Sequence, residues 1–137
     1  MGANVHAPAT ATGLVDRLVA ALPMATWHYN AAIGEMNVVL PGGEGRSAHI
    51  PWLHVDEEWD FYVRMDAATG QPLSLVIYPF DVWLAEQEGQ PLSPPEAPID
   101  YAAARRHVER ALRTSTTLAT DWSNAVADGL PVPRQFG

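Results

Sequence analysis

The 137-residue chain contains no cysteine, which excludes disulfides, thiolate zinc sites and cysteine nucleophiles. It also lacks any apolar run near the roughly 20 residues that a membrane-spanning helix needs. Residues 1–13 have neither the basic start nor the long apolar core of a signal peptide. We therefore expect a protein of the reducing cytoplasm that does not associate with membranes.

Lysine is absent as well: all eight basic residues are arginines, set against 16 acidic residues, for a formal net charge of −8. Nucleic-acid backbones bind basic surfaces, so this balance argues against a nucleic-acid partner. The charge is unevenly distributed. Residues 23–100 hold two arginines and twelve acids, a net of −10, whereas residues 101–137 hold five arginines and three acids, a net of +2.

The clearest pattern lies in residues 59–78, where apolar and polar side chains alternate on both sides of a turn at residues 66–70. Period-two alternation is typical of strands with one face in a core. In the turn, Gly70 can adopt a positive φ. The pattern predicts a β-hairpin that turns one set of side chains inward (Trp59, Phe61, Val63, Leu73, Leu75 and Ile77) and another outward (Asp60, Tyr62 and Arg64).

Shorter patterns predict the other elements. Strands are expected at residues 25–30, 35–40 and 47–55, a short helix at 13–22, a helical segment at 80–88, and a long helix from Asp100 to about residue 127. Together they predict an α+β fold: an antiparallel meander of about five strands, with a short N-terminal helix and a long C-terminal helix packed on one face.

The domain boundaries follow from the ends of these patterns. Residues 1–12 are small and polar without a period and are expected to form a flexible lead-in. Residues 13–128 are expected to form a single domain, and residues 129–137, which include two prolines, a tail. The proline-rich residues 89–98 predict a linker laid over the surface.

Residues 27–39 and the hairpin at 61–77 together resemble a small bacterial domain family of unknown function. Family members combine a hairpin that follows a tyrosine–aspartate pair with a second hairpin that has an acidic, glycine-containing turn. Tyr29 and Gly70 match this pattern, but Asn30 replaces the aspartate and the C-terminal helix is additional. The resemblance covers residues 27 to about 80 and implies a β-meander, with no established activity to carry over.

Three histidines in the strand block, His28, His49 and His54, are candidate metal ligands together with neighbouring acids. His49 and His54 are five residues apart, so on a regular strand their side chains face opposite sides. No serine lies in a glycine-flanked nucleophile elbow. We therefore predict no metal, no cofactor and no catalytic residue, and we favour a binding module over an enzyme.

Aromatic and arginine side chains supply the candidate binding residues. Exposed tryptophan is typical of interfaces, and three arginines fall on one face of the long helix. That arginine face is either solvated or meets the acidic strand block, within the subunit or in another chain. The predicted binding residues are Trp52, Trp83, Arg106, Arg110, Arg113 and Trp122.

Two functions follow from these observations. The first is a non-catalytic protein-interaction module, an adaptor or accessory subunit that binds a protein partner or associates with itself. The alternative is a small-molecule-binding protein or minor enzyme with a cavity between sheet and helix. Its predicted polar residues are His28, Tyr29, His54 and Arg64.

Overall fold

The structure is a computed structural model that describes residues 11–44, 51–94 and 97–133. Within these residues four α-helices and five strands follow one another along the chain: α1 (Ala11–Ala21), β1 (Thr26–Asn30), β2 (Glu35–Val39), β3 (Trp52–Asp56), β4 (Asp60–Met65), β5 (Pro72–Tyr78), α2 (Phe80–Glu88), α3 (Tyr101–Thr114) and α4 (Thr117–Ala127). The predicted α+β class with a five-stranded antiparallel sheet is confirmed. Residues 1–10 of the predicted lead-in and residues 47–50 of the predicted third strand lie outside the described residues.

The sheet has the strand order β1-β2-β5-β4-β3, with every neighbouring pair antiparallel. This order differs from the sequential order of a simple meander, because β3 lies at the far edge and β5 returns between β2 and β4. The burial of β5 explains its central place: six of its seven residues are buried. A short apolar run of this kind is suited to a central strand, which has β2 on one edge and β4 on the other.

All four helices contribute to one core on one face of the sheet, which we call the inner face. The inward side chains of the hairpin, among them Phe61, Val63 and Ile77, are fully buried there. Asp60 is exposed on the opposite, outer face, where Tyr62 is half-buried. The predicted orientation of the hairpin is therefore confirmed. Its first residue, Trp59, is half-buried and packs against the core.

The C-terminal helical region is divided into α3 and α4 by a break at Ser115, whose backbone is extended. The Ser115 hydroxyl accepts a hydrogen bond from the Leu118 N–H and donates one to the carbonyl of Val55. Serine competes with helical hydrogen bonds in this way and starts new helices. After the break the buried positions of α4 are Leu118 and Trp122.

The packed part of the chain extends past residue 128, where the predicted domain ended. Leu130 joins the core, and its N–H donates to the Ala125 carbonyl. The following residue, Pro131, lies against the hairpin turn at Gly70, which adopts the predicted positive φ, here 73°. A Cβ at Gly70 would come within 1.8 Å of the Pro131 carbonyl oxygen, so the turn requires glycine for space as well as for φ.

Candidate functional site

The outer face of the sheet is not covered by any of the four described helices, since the core residues that the helices contribute lie on the inner face. Sheet adjacency brings part of this face together into a shallow concavity of about 470 Å³. We call its lining the aromatic patch: Ile33, Glu35, Trp52, His54, Asp60, Tyr62, Val76 and Tyr78.

Strand register builds the aromatic patch. Tyr62 lies opposite Val76 of β5 on one side and His54 of β3 on the other, with Trp52 on the diagonal. Diagonal neighbours on one face are close enough for large rings to touch. The rings of Trp52 and Tyr62 accordingly stack, with centroids 4.6 Å apart and an interplanar angle of 15°. His54 packs edge-on to Tyr62, with centroids 6.4 Å apart.

Three large apolar side chains in the aromatic patch are exposed: Trp52 by 57%, Ile33 by 54% and Tyr78 by 41%. Single exposed apolar residues are ordinary, whereas several in one concavity are typical of an interaction surface. These three side chains come from β3, the β1–β2 turn and the end of β5. Only the folded sheet places them together.

Two carboxylates, Glu35 and Asp60, border the aromatic patch and give it a negative field. Burial raises the pKa of the Tyr62 phenol, and both carboxylates raise it further against the lowering effect of Arg64. The phenol is thus neutral at physiological pH and can donate a hydrogen bond. Arg64 is itself oriented by Ser74, to whose hydroxyl its Nη1 donates at 3.2 Å. Flat apolar or cationic side chains suit such a surface.

At the β3 edge of the sheet, α4 packs against the strand and hydrogen-bonds to its backbone. The backbone N–H of His54 donates to Asp121 Oδ2 at 2.8 Å, and His54 Nδ1 lies 3.1 Å from the same oxygen. A groove of about 730 Å³ borders this pair, and its described lining carries no hydroxyl or thiol side chain. These two contacts join β3 to α4.

A second cavity, of about 440 Å³, lies between α2, the β1–β2 turn and the proline-containing segment after α2. Its walls include the rings of Tyr29 and Phe80, whose centroids are 5.7 Å apart, together with Leu84, Pro91 and Ile99. Burial, and secondarily the charge of Asp81, raises the pKa of Tyr29. We call this space the α2 cavity.

The predicted tryptophans separate into exposed and buried ones. Trp52 lies in the aromatic patch. Trp83 and Trp122 are fully buried, so their predicted place on a binding surface is wrong. Trp83 packs edge-on to Phe61, with centroids 5.5 Å apart, and Trp122 fills the core from α4. Both follow the apolar period of a helix that packs on a sheet, a pattern that does not distinguish a core residue from an exposed anchor.

The predicted arginines Arg106, Arg110 and Arg113 are exposed on α3, away from the outer face. Arg113 lies 3.7 Å from Asp16 of α1, and Arg110 Nη2 lies 2.6 Å from His107 Nδ1. Contact of this face with the acidic strands of the same subunit is therefore not observed among the described residues. Its use by another chain stays a prediction.

The four predicted cavity residues are not brought together. Tyr29 faces the helices and lines the α2 cavity, whereas His28, His54 and Arg64 belong to the outer face. His28 and His54 lie on the two opposite edge strands, about 19 Å apart at the usual strand spacing. His49 lies outside the described residues. In the part of the chain that the structure describes, no three histidine or acidic side chains are placed to hold a metal ion.

The sequence reasoning missed Ile33, Tyr78 and Asp121. The alternation in the hairpin predicted that Tyr62 faces outward, but it could not predict that Tyr62 stacks on Trp52 of β3.

Among the described helices, none has the length and apolar character needed to cross a bilayer. No protein-family model, curated protein or solved structure matches the chain. The resemblance to a bacterial family stays a prediction.

Proposed function

We propose that the protein is a non-catalytic interaction module, an adaptor or accessory subunit that binds a partner protein on its aromatic patch. The observation that carries the proposal is the concavity in which Trp52, Ile33 and Tyr78 are exposed together. Binding energy concentrates in aromatic anchors of this kind, ringed by polar groups. The cysteine-free sequence supports a cytoplasmic location for this activity.

The charge of the aromatic patch supports a basic partner. Glu35 and Asp60 border the rings, and after burial, the main cause, both carboxylates raise the pKa of Tyr62. The wider segment of residues 23–100 has a net charge of −10. We therefore propose a partner segment that combines arginine or lysine with flat or branched apolar side chains. Its cations would pack over the rings and pair with the carboxylates.

The test is a selection of random dodecapeptides on the immobilised protein. We expect enriched peptides to be basic and apolar, and to lose at least tenfold in affinity for a Trp52→Ser variant. Tyr101→Ser is the matched control, because Tyr101 is an exposed aromatic residue outside the aromatic patch. Enriched peptides that are acidic, or that bind Trp52→Ser and wild type equally, would contradict the proposal.

A second candidate function, small-molecule binding, is favoured by the α2 cavity. Its volume of about 440 Å³ lies in the range of ligand sites, and its walls are mainly apolar. A fluorescence titration with the neutral apolar dye Nile red tests it. Ala85 of α2 lines the cavity. We expect saturable binding that Ala85→Trp abolishes by filling the cavity, whereas Trp52→Ser leaves it unchanged. Absent or Ala85-independent binding would remove this candidate.

A further inference from the structure

The two edge strands of the sheet, β3 and β1, differ in whether other described parts of the chain hydrogen-bond to their free backbone edge. On β3, two backbone groups point away from the edge of the sheet, and both have partners in the helical region. The His54 N–H donates a hydrogen bond to Asp121, and the Val55 carbonyl accepts one from the Ser115 hydroxyl. On β1, no described helix or loop hydrogen-bonds to the backbone of Trp27 or Tyr29. Unpaired strand edges are templates for pairing with another strand, and proteins usually cover them.

The strand register shows which backbone N–H and carbonyl groups of β1 do not face β2. Leu40 N–H donates to Leu73 of β5, so alternation along β2 directs Met36 and Val38 to β5 as well. The residues between them then bond to β1, through its residues 26, 28 and 30. The N–H and carbonyl groups of Trp27 and Tyr29 therefore point away from the sheet.

We propose that a second copy of this chain docks antiparallel on β1, with His28 at the two-fold axis. In this register, Trp27 lies opposite Tyr29 of the second copy, and each such pair exchanges two backbone hydrogen bonds. The result is a continuous sheet of two five-stranded halves. The proposal goes beyond the partner-binding function and uses a different part of the sheet.

The side chains of β1 favour a second copy over an unrelated strand. The two-fold arrangement places an indole against a phenol on the inner face twice, and cross-strand aromatic pairs are stabilising. Trp27 already packs edge-on to the exposed ring of Tyr101, with centroids 6.0 Å apart, which extends the apolar surface beside the strand. β1 carries no acid or arginine, so no permanent charges of like sign meet across the axis.

On the outer face, His28 meets its own copy in the closely spaced, non-hydrogen-bonded position, where Cα atoms are about 4.5 Å apart. A charge at this residue therefore faces an identical charge directly. Because the axis is perpendicular to the sheet, both aromatic patches lie on the same side of the dimer. Such a dimer can bind two sites of one partner, and the first contact raises the effective concentration for the second, which increases the overall affinity.

The experiment measures dimer dissociation by analytical ultracentrifugation of the full chain. The wild type and His28→Thr are expected to sediment at twice the 14.9 kDa chain mass. His28→Asp and His28→Arg are each expected to weaken the dimer at least tenfold, because like charges directly opposite are destabilising. An equal mixture of these two variants is expected to restore dimers, since opposite charges then meet at the axis.

His28 is exposed, so circular dichroism should show that all four proteins are folded. Trp52→Ser is expected to stay dimeric, which separates this proposal from partner binding on the aromatic patch. A wild type that is monomeric at every concentration would overturn the proposal. A dimer that His28→Asp leaves unchanged, or that the mixture of charged variants does not restore, would overturn it as well.

Discussion

Replacing Phe61 by alanine tests the division of the sheet into an inner and an outer face. The ring is fully buried and packs edge-on to Trp83 at a centroid distance of 5.5 Å. Removing a buried phenylalanine ring costs about 3–5 kcal/mol through lost burial and the cavity left behind. Domains are typically stable by about 5–15 kcal/mol, so a large fraction of the free energy of unfolding would be lost.

The assay is urea denaturation followed by circular dichroism, with the slope checked for constancy between variants. Tyr62→Ala is the matched control, because the next residue on β4 faces outward and loses chiefly its stack on Trp52. We expect Tyr62→Ala to lower the free energy of unfolding by about 1 kcal/mol, the scale of one aromatic pair interaction. If Phe61→Ala costs less than Tyr62→Ala, the assignment of the two faces is wrong.

Three further predictions concern other parts of the fold. Gly70→Ala should cost about 1–3 kcal/mol by thermal denaturation, because φ is positive and the new Cβ would meet the Pro131 carbonyl. Gly89→Ala, with positive φ but open space, should cost less, and equal costs would argue against the contact. Asp121→Ala should destabilise by about 1–2 kcal/mol in urea by freeing the edge of β3, and an unchanged midpoint would contradict that role. The raised pKa of Tyr62 means that its phenol ionises first in the unfolded state. Stability should therefore fall as pH rises above about 10, and less steeply in Tyr62→Phe. Identical pH profiles would contradict this.

The secondary structure was largely predictable from sequence because its signals are local. Alternation located β4 and β5, and the residues predicted as helical at 80–88 match α2. The strand order was not predictable in the same way, since it depends on which strands pair across the sheet, and local alternation does not specify the pairing. The break at Ser115 was also missed, because the helical period continues through it and the stabilising contact is with the distant carbonyl of Val55.

The candidate site was predictable only in part. Trp52 was singled out by its residue type, and the outward position of Tyr62 by alternation. Their stacking, and the approach of Ile33 and Tyr78, depend on β5 lying beside β4, which no local pattern specifies. The same limit explains the error for Trp122, because apolar helical spacing does not reveal whether a large ring is covered.

The central claim, that a partner binds on the outer face, is tested most directly by the indole N–H resonances of the five tryptophans. A basic, apolar peptide from the selection is added to ¹⁵N-labelled protein, with the Trp52 signal assigned from Trp52→Phe. We predict that the Trp52 resonance shifts in proportion to occupancy, whereas those of the buried Trp83 and Trp122 stay in place. Saturable binding that leaves the Trp52 resonance unchanged would contradict the proposed site.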